Sequence, residues 1–228
     1  MKTPSQHAVV IVAGGKGLRL GAGVPKQYLP MAGKPMLMRT IEKFYGFDNY
    51  MQLIVVLHPH YIDYWKELCA EYSFKIPCEL VEGGDTRFQS VKNGLANILD
   101  HKIVAIHDAA RPLITEKLIA QCYHHAKKNQ CGIIPVIDEK NSLRLIDGST
   151  HKPLERENIK LVQTPQVFPA QLIKNAYQVD YSPKFTDDAT VAENDGVYIM
   201  LIQGEELNIK ITTSIDMQFA SFVLKSNE

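Results

Sequence analysis

"AVVIVAGGKGLRLGAGVPKQYL", residues 8–29, runs from an apolar stretch into glycines, gathers Lys16, Arg19 and Lys26, and contains no carboxylate. An apolar run that ends in Gly14-Gly15-x-Gly17 reads as a buried strand opening onto a ligand loop. Glycine accepts positive φ there and puts no side chain between backbone and ligand. Arg19 offers a bidentate fork and Lys26 a compact point charge, both suited to phosphate oxygens. Two common phosphate loops fail on spacing. A P-loop needs G-x-x-x-x-G-K-[ST], and no glycine in the chain is followed by Lys-Ser or Lys-Thr. Gly15-x-Gly17-x-x-x-Gly21 approximates a dinucleotide fingerprint, but cations interrupt the glycines and Pro25 falls where a long helix should already be running.

The whole chain is neutral, with 25 basic and 25 acidic residues among 228, yet residues 1–41 carry six cations and no acid. A neutral total argues against a general nucleic-acid binder, which needs a broad basic face. The local excess points to a compact anionic ligand. The length suits one large domain or two small ones with a sizeable core. Cys69, Cys78, Cys122 and Cys131 form no C-x-x-C pair and read as packing or surface thiols. With no signal-peptide pattern or membrane-length apolar run, the expected compartment is the cytoplasm, with no membrane partner.

Short apolar runs alternate with helix-period segments, as in an α/β architecture with a parallel sheet. Strands are expected at Ala8–Ala13, Leu53–Leu57, Glu79–Val81, Ile103–His107, Ile133–Ile137, Lys160–Val162 and Val197–Ile202. A helix over residues 87–99 would bury Phe88, Val91, Leu95, Ile98 and Leu99. A second, N-capped by Thr115, would turn Leu118, Ile119, Cys122 and Ala126 inward. Residues 139–158 break the pattern: charged, poor in apolar residues, and centred on Asp147-Gly148, a pair favoured in tight hairpins. An isolated two-stranded ribbon is marginal in water, so this arm would gain by packing on another surface, such as a second subunit.

Asp108 is the acid at the carboxyl end of the strand Ile103–His107, where open α/β sheets bind ligands. It reads as a ligand-facing acid or as a cap for the turn leading to Pro112, and His107 reads as structural. "GGDTRFQS" contains a glycine turn at Gly84, with Asp85 near a helix start, where it would serve equally as an N-cap, and Ser90 one turn in.

Taken together, "AGGKGLRLGAGVPKQYL", "GGDTRFQSV", "HDAARP", "TPQVF", "TDDA" and "NIKIT", in this order and spacing, resemble the 2-C-methyl-D-erythritol 4-phosphate cytidylyltransferases. The unvaried alanine pair of "HDAARP" sets them apart from the related ribitol-5-phosphate cytidylyltransferases. The resemblance implies Mg²⁺-dependent transfer of CMP from CTP to methylerythritol phosphate, with release of pyrophosphate. It implies a single nucleotidyltransferase domain, Rossmann-like, with a mostly parallel mixed sheet, helices on both faces and a protruding β-hairpin dimerisation arm. It implies a homodimer with shared sites, and no nucleic acid among the partners. Mapped onto this chain, Arg19, Lys26 and Lys210 would be catalytic. Ala13, Gly14, Gly15, Gly17, Gly84, Asp85 and Ser90 would hold the nucleotide. Asp108 would hold the metal, and Arg111, Ser142, Arg156 and Thr186 the sugar phosphate. In the arm, the family's Asp-Thr after the "PV" strand appears as Asn141-Ser142, or as Asp138 with three residues inserted before Ser142, and Ser142 is taken as the hydroxyl. The two alternatives to this reading are a ribitol-phosphate enzyme and a non-catalytic nucleotide-binding module.

Overall fold

The computed structural model of the chain describes residues 5–15, 23–100 and 102–226. The opening run forms β1 (His7–Ala13), and its alternation divides the core in two. Val9, Ile11 and Ala13 point into one apolar layer, and Ala8 and Val10 into the other. The same split recurs in β4 (Gln52–Leu57) and β6 (Ile103–Asp108), so these strands are buried on both faces, as parallel strands covered by helices must be.

Helices α1 (Met36–Phe47), α2 (Ile62–Glu71) and α4 (Glu116–Asn129) cover the first face. Helices α3 (Arg87–Ala96), α5 (Ala170–Ala176) and α6 (Asp188–Asn194) cover the second, and α7 (Ser214–Lys225) follows at the C-terminal end. Thr115 caps α4 by accepting from the Leu118 amide at 3.1 Å, and Leu118, Ile119, Cys122 and Ala126 are buried as the spacing predicts. Helix α3 stops at Ala96, so Leu99 faces solvent instead of joining Phe88, Val91, Leu95 and Ile98 in the core. Cys122 and Cys131 are buried and all four cysteines are free thiols. Among the described residues no helix is long and apolar enough to cross a membrane.

The main sheet runs β10-β7-β11-β6-β1-β4-β5, with β12 (Ile199–Gln203) on the other edge of β7 (Gly132–Asp138). Pairings of β1 with β4 and β6, of β4 with β5 (Glu79–Glu82), and of β7 with β12 are parallel. The seven expected strands all form, within two residues at their ends. An additional strand, β11 (Gln166–Pro169), lies antiparallel between β6 and β7. It escapes the hydrophobic pattern because it is four residues long and has a proline at its end and another just before it. It follows β10 (Lys160–Val162) along the same edge of β7, after a cis Thr164–Pro165 peptide. The sheet is therefore mixed and mostly parallel, with its order reversing at β1. That reversal opens a crevice at the carboxyl ends of β1 and β6.

Residues 139–158 form a ribbon of their own, β8 (Leu143–Asp147) against β9 (Thr150–Leu154). The Asp147↔Thr150 pair makes Gly148-Ser149 the two-residue loop, one position later than the sequence suggests, with Gly148 at φ +56°. Only the root residues Leu143 and Leu154 are partly covered. Short pairs β2 (Pro30–Met31) and β3 (Lys34–Pro35) lead into α1. There Arg39 donates to the Met31 and Ala32 carbonyls, and Lys34 pairs with Glu42. Two of the six early cations are therefore structural.

The end of β6 is locked by a directional hydrogen-bond chain. The Asp108 amide donates to Thr164 Oγ1 (3.1 Å), Thr164 is 3.1 Å from His107 Nδ1, and His107 Nε2 is 3.2 Å from the Arg111 carbonyl. A carbonyl only accepts, so Nε2 carries the proton and Nδ1 accepts from the threonine hydroxyl. His107 is fully buried beside Phe44, at 5.0 Å between ring centroids, and burial pushes its pKa down to about 4. It is structural, as the sequence suggests. Between pH 6.5 and about 4 the unfolded histidine binds a proton that the folded one refuses. Stability is thus expected to fall on acidification through that window, by at most about 1.4 kcal/mol per pH unit from this group. Denaturant midpoints measured across the window should show the slope in the parent protein and lose that component in His107→Gln.

Candidate functional site

A cavity of about 890 Å³ opens across the carboxyl ends of four adjacent strands. Ala13, Gly14 and Gly15 wall it after β1, His58 and Pro59 after β4, Gly83 to Arg87 and Ser90 after β5, and Asp108 to Ala110 at β6. Val12, Lys26, Gln27 and Lys210 complete the lining. The structure thus brings together Ala13, Gly14, Gly15, Lys26, Gly84, Asp85, Ser90, Asp108 and Lys210 of the predicted site. Gly17 and Arg19 lie outside the described residues.

The glycines here serve close approach rather than unusual φ. Neither Gly14 nor Gly84 has a left-handed φ, but a Cβ on Gly14 would stand 3.0 Å from Ser90 Oγ, and one on Gly84 would strike Gln89 Cγ at 2.2 Å. Ser90 Oγ accepts from the Gly84 amide at 3.1 Å and donates to the Thr86 carbonyl at 2.9 Å, which folds the "GGDTR" turn onto α3. The N-cap of α3 is Thr86, bonded to the Gln89 amide at 3.0 Å. Asp85 is therefore not a cap; it is an exposed carboxylate on the cavity wall.

Lys26 sits in a short 3-10 turn after Pro25, whose fixed φ of −60° leads into it. Its ammonium donates to the Ile211 carbonyl, and the Ile211 amide donates to Ala110 O at 2.8 Å. The "NIKIT" segment is thereby bound to both the opening loop and the end of β6. Next to Lys26, the buried Gln27 side chain donates to Ala13 O (2.8 Å) and Gly15 O (3.0 Å). Gln27 holds both ends of the glycine segment's described part, a role the sequence signals only by its place beside Lys26.

The cations converge on Asp108. Lys210 Nζ is 2.8 Å from Oδ2, Arg87 Nε 3.5 Å from Oδ1, and Arg111 Nε 4.0 Å from Oδ2. Burial alone would raise this carboxyl's pKa, but Arg87, Lys210 and Arg111 together hold it well below the usual carboxylate range. The side chain takes cations rather than capping the following turn. Arg111 lies beneath the cavity floor, donating to Asn208 O (2.6 Å) and Val162 O (3.3 Å). Its guanidinium is committed to backbone carbonyls and Asp108.

Three predicted substrate residues stand elsewhere in the chain. Thr186 is exposed just before Asp187, the N-cap of α6, outside the cavity lining. Ser142 is exposed at the root of the arm. Arg156, in a 3-10 turn after β9, donates to Lys140 O at 3.2 Å and lies 3.6 Å from Glu157.

A model of the family described as IspD, 2-C-methyl-D-erythritol 4-phosphate cytidylyltransferase, matches residues 7–226. Enzymes of that name from Bacteroides fragilis and Phocaeicola vulgatus are 49% and 48% identical to this chain. The matches cover 96% and 95% of it, and 99% and 98% of those proteins. The crystal structure of the Francisella tularensis 2-C-methyl-D-erythritol 4-phosphate cytidylyltransferase superposes with a TM-score of 0.80 at 29% identity, covering 96% of this chain and 99% of that one. A match across nearly the whole chain, on a sheet whose strand ends gather four of the six motifs around one cavity, settles the lineage: the chain belongs to the 2-C-methyl-D-erythritol 4-phosphate cytidylyltransferase family.

Proposed function

We propose that this cavity transfers CMP from CTP to the 4-phosphate of 2-C-methyl-D-erythritol. A phosphate oxygen of the sugar attacks the α-phosphorus, the bond to the β-phosphate oxygen breaks, and pyrophosphate leaves. The observation that carries the reading is the gathering of Lys26, Arg87 and Lys210 around a nucleotide-sized cavity at the switch point of the sheet. The attacking oxygen is already anionic, so no serine, cysteine or histidine nucleophile is needed. The obstacle is bringing two anions together and stabilising charge at the α-phosphate. Lys26 and Lys210, with Arg19 from the same opening loop, are the cations for that task. Gly14, Gly15, Gly84, Asp85 and Ser90, with Ala13 and Gly17, would form the nucleotide side.

The donor set suits Mg²⁺. Asp108 reaches the cavity from the strand end, Asp85 stands on its wall, and no group of three or more His, Cys, Asp or Glu forms a ready-made cage among the described residues. Mg²⁺ takes one or two carboxylates and completes its shell with water and substrate phosphates. Asp108 would hold it, and the bound ion would neutralise triphosphate charge. Lys210 is 45% exposed and can turn from Asp108 toward a phosphate without breaking a buried structure.

For the second substrate we propose a site completed by a neighbouring subunit. The arm that carries Ser142 and Arg156 leaves Leu145 and Ile146 exposed, which favours docking on a second copy. Thr186 would contribute to the sugar-phosphate side, and Arg111, held by backbone carbonyls, would act there through Asp108. The proposed form is a homodimer of one-domain subunits in the cytoplasm, where the four free thiols stay reduced.

Pyrophosphate release should require both CTP and methylerythritol phosphate, with ribitol 5-phosphate giving background. Binding of CTP with no turnover would overturn the enzymatic reading. Lys26→Ala is expected to lower turnover by about 10²-fold with little change in the KM for CTP, because its contact strengthens as charge develops. Near-parental turnover would remove Lys26 from the catalytic set. The shared site has its own test. Lys26→Ala and Arg156→Ala subunits, each nearly inactive, are refolded together with different tags. In each hybrid dimer one of the two sites joins an intact loop to an intact arm, and with half of the dimers hybrid the mixture regains about a quarter of parental activity. No recovery despite exchange of the tags would place Arg156 in its own subunit's site.

A further inference from the structure

Arg87 was not among the residues singled out in the sequence, yet its guanidinium is the most constrained cation in the cavity wall. It occupies the first position of α3, where positive charge opposes the helix dipole and no acid in the first turn offsets it. What holds it there is a remote carboxylate. Nη1 and Nη2 donate to Asp188 Oδ1 and Oδ2 at 2.9 and 2.7 Å, a bidentate fork across 101 residues of sequence. Asp188 is fully buried, and Tyr177 donates to its Oδ1 at 2.7 Å. The remaining nitrogen, Nε, faces Asp108 Oδ1 at 3.5 Å.

We propose that Arg87 is a positioning residue of the transfer reaction: locked by Asp188, it fixes the Asp108 carboxylate from the side opposite Lys210. The inference rests on the function proposed above. Arg111 stands at 4.0 Å, and the two nearer partners of Asp108 differ in kind. Lys210 is a half-exposed point charge on a flexible stem, free to follow an incoming phosphate. Arg87 cannot follow, because both of its terminal nitrogens are held by a buried anion. When Lys210 turns to substrate, Arg87 keeps Oδ1 of Asp108 from rotating, and Arg87 and Arg111 keep positive charge beside the carboxylate. The same fork joins "GGDTRFQS" on the nucleotide side to "TDDA" of α6, two motifs that are far apart in the sequence.

The test separates positioning from structural support. Arg87→Met leaves Asp188 buried and unpaired, and should lower both the melting temperature and turnover. Arg87→Met with Asp188→Asn removes both charges of the buried pair. It should regain most of the melting temperature while turnover stays about 10²-fold below the parent, the cost typical of a misplaced reacting group. Its Mg²⁺ titration should move to higher concentration, because Asp108 has lost the partner that fixes its Oδ1. Arg87→Lys is a third variant that keeps charge without the fork. It should fold and lose at least about tenfold in kcat, with the KM for CTP within about threefold. Full turnover in the double variant or in Arg87→Lys overturns the inference. A parent protein that releases no pyrophosphate from the substrate pair overturns the proposed function, and the inference with it.

Discussion

The structure of the site depends on one carboxylate that is shared by three cations. Asp108 is almost entirely withdrawn from water, and an isolated charge in that position would be costly. Arg87, Arg111 and Lys210 make it tolerable, and the acid in turn allows three like charges to stand around one point. Asp188 balances a second one of them. The cluster keeps a net positive character facing the cavity, which favours a polyanionic ligand. Buried ion networks are weak sources of stability, since desolvation consumes most of the attraction. Their use here is geometric: each cation is held in a different way, by a carboxylate fork, by backbone carbonyls or by a flexible stem.

Around that cluster, the fold works through hydrogen bonds from short segments rather than through helices. Thr164 and His107 pin the backbone on which Asp108 stands, Gln27 gathers the ends of the glycine segment, and Asn208 donates to Thr164 O at 2.9 Å. Gln166, on the antiparallel β11, donates to Asp187 at 2.7 Å and accepts from the Ala189 amide at 2.8 Å, anchoring the start of α6 and with it Asp188. The strand least visible in the sequence thus carries the residue that anchors the counter-ion of Arg87.

Much of the framework could be read from the residues, for identifiable reasons. Strands covered on both faces leave unbroken apolar runs, as β1, β4 and β6 do, and Thr115 announces α4 by its capping chemistry. Where the reading failed, the deciding interaction was non-local. β11 owes its place to neighbours on both sides and not to its four residues. Asp85 reads equally as a site residue or a cap in the sequence, and only the bond of Thr86 to the Gln89 amide separates the two. Lys34 and Arg39 looked like part of a ligand-binding excess and instead serve Glu42 and two carbonyls. Arg87 was passed over because a lone arginine beginning a helix carries no signal without Asp188. That partner could have been sought in the paired acids of "TDDA", since a buried arginine requires a carboxylate somewhere. The motifs at the ends of β1, β5 and β6 were legible because backbone geometry there restricts which residues fit.

The bond between Lys26 and the Ile211 carbonyl spans 185 positions of sequence. Its neighbours are similarly long: Arg111 to Asn208 spans 97 positions, and Arg87 to Asp188 spans 101. During synthesis, β1, β4, β5 and β6 emerge and can pair while the segments carrying Asp188 and Lys210 are still unmade. Until those segments arrive, Asp108 has only the arginines beside it and Arg87 lacks its buried anchor. The cavity is consequently completed late, by a segment that only α7 follows in the described chain. Assembly in this order keeps the cationic wall of the cavity incomplete until the strands beneath it are able to pair.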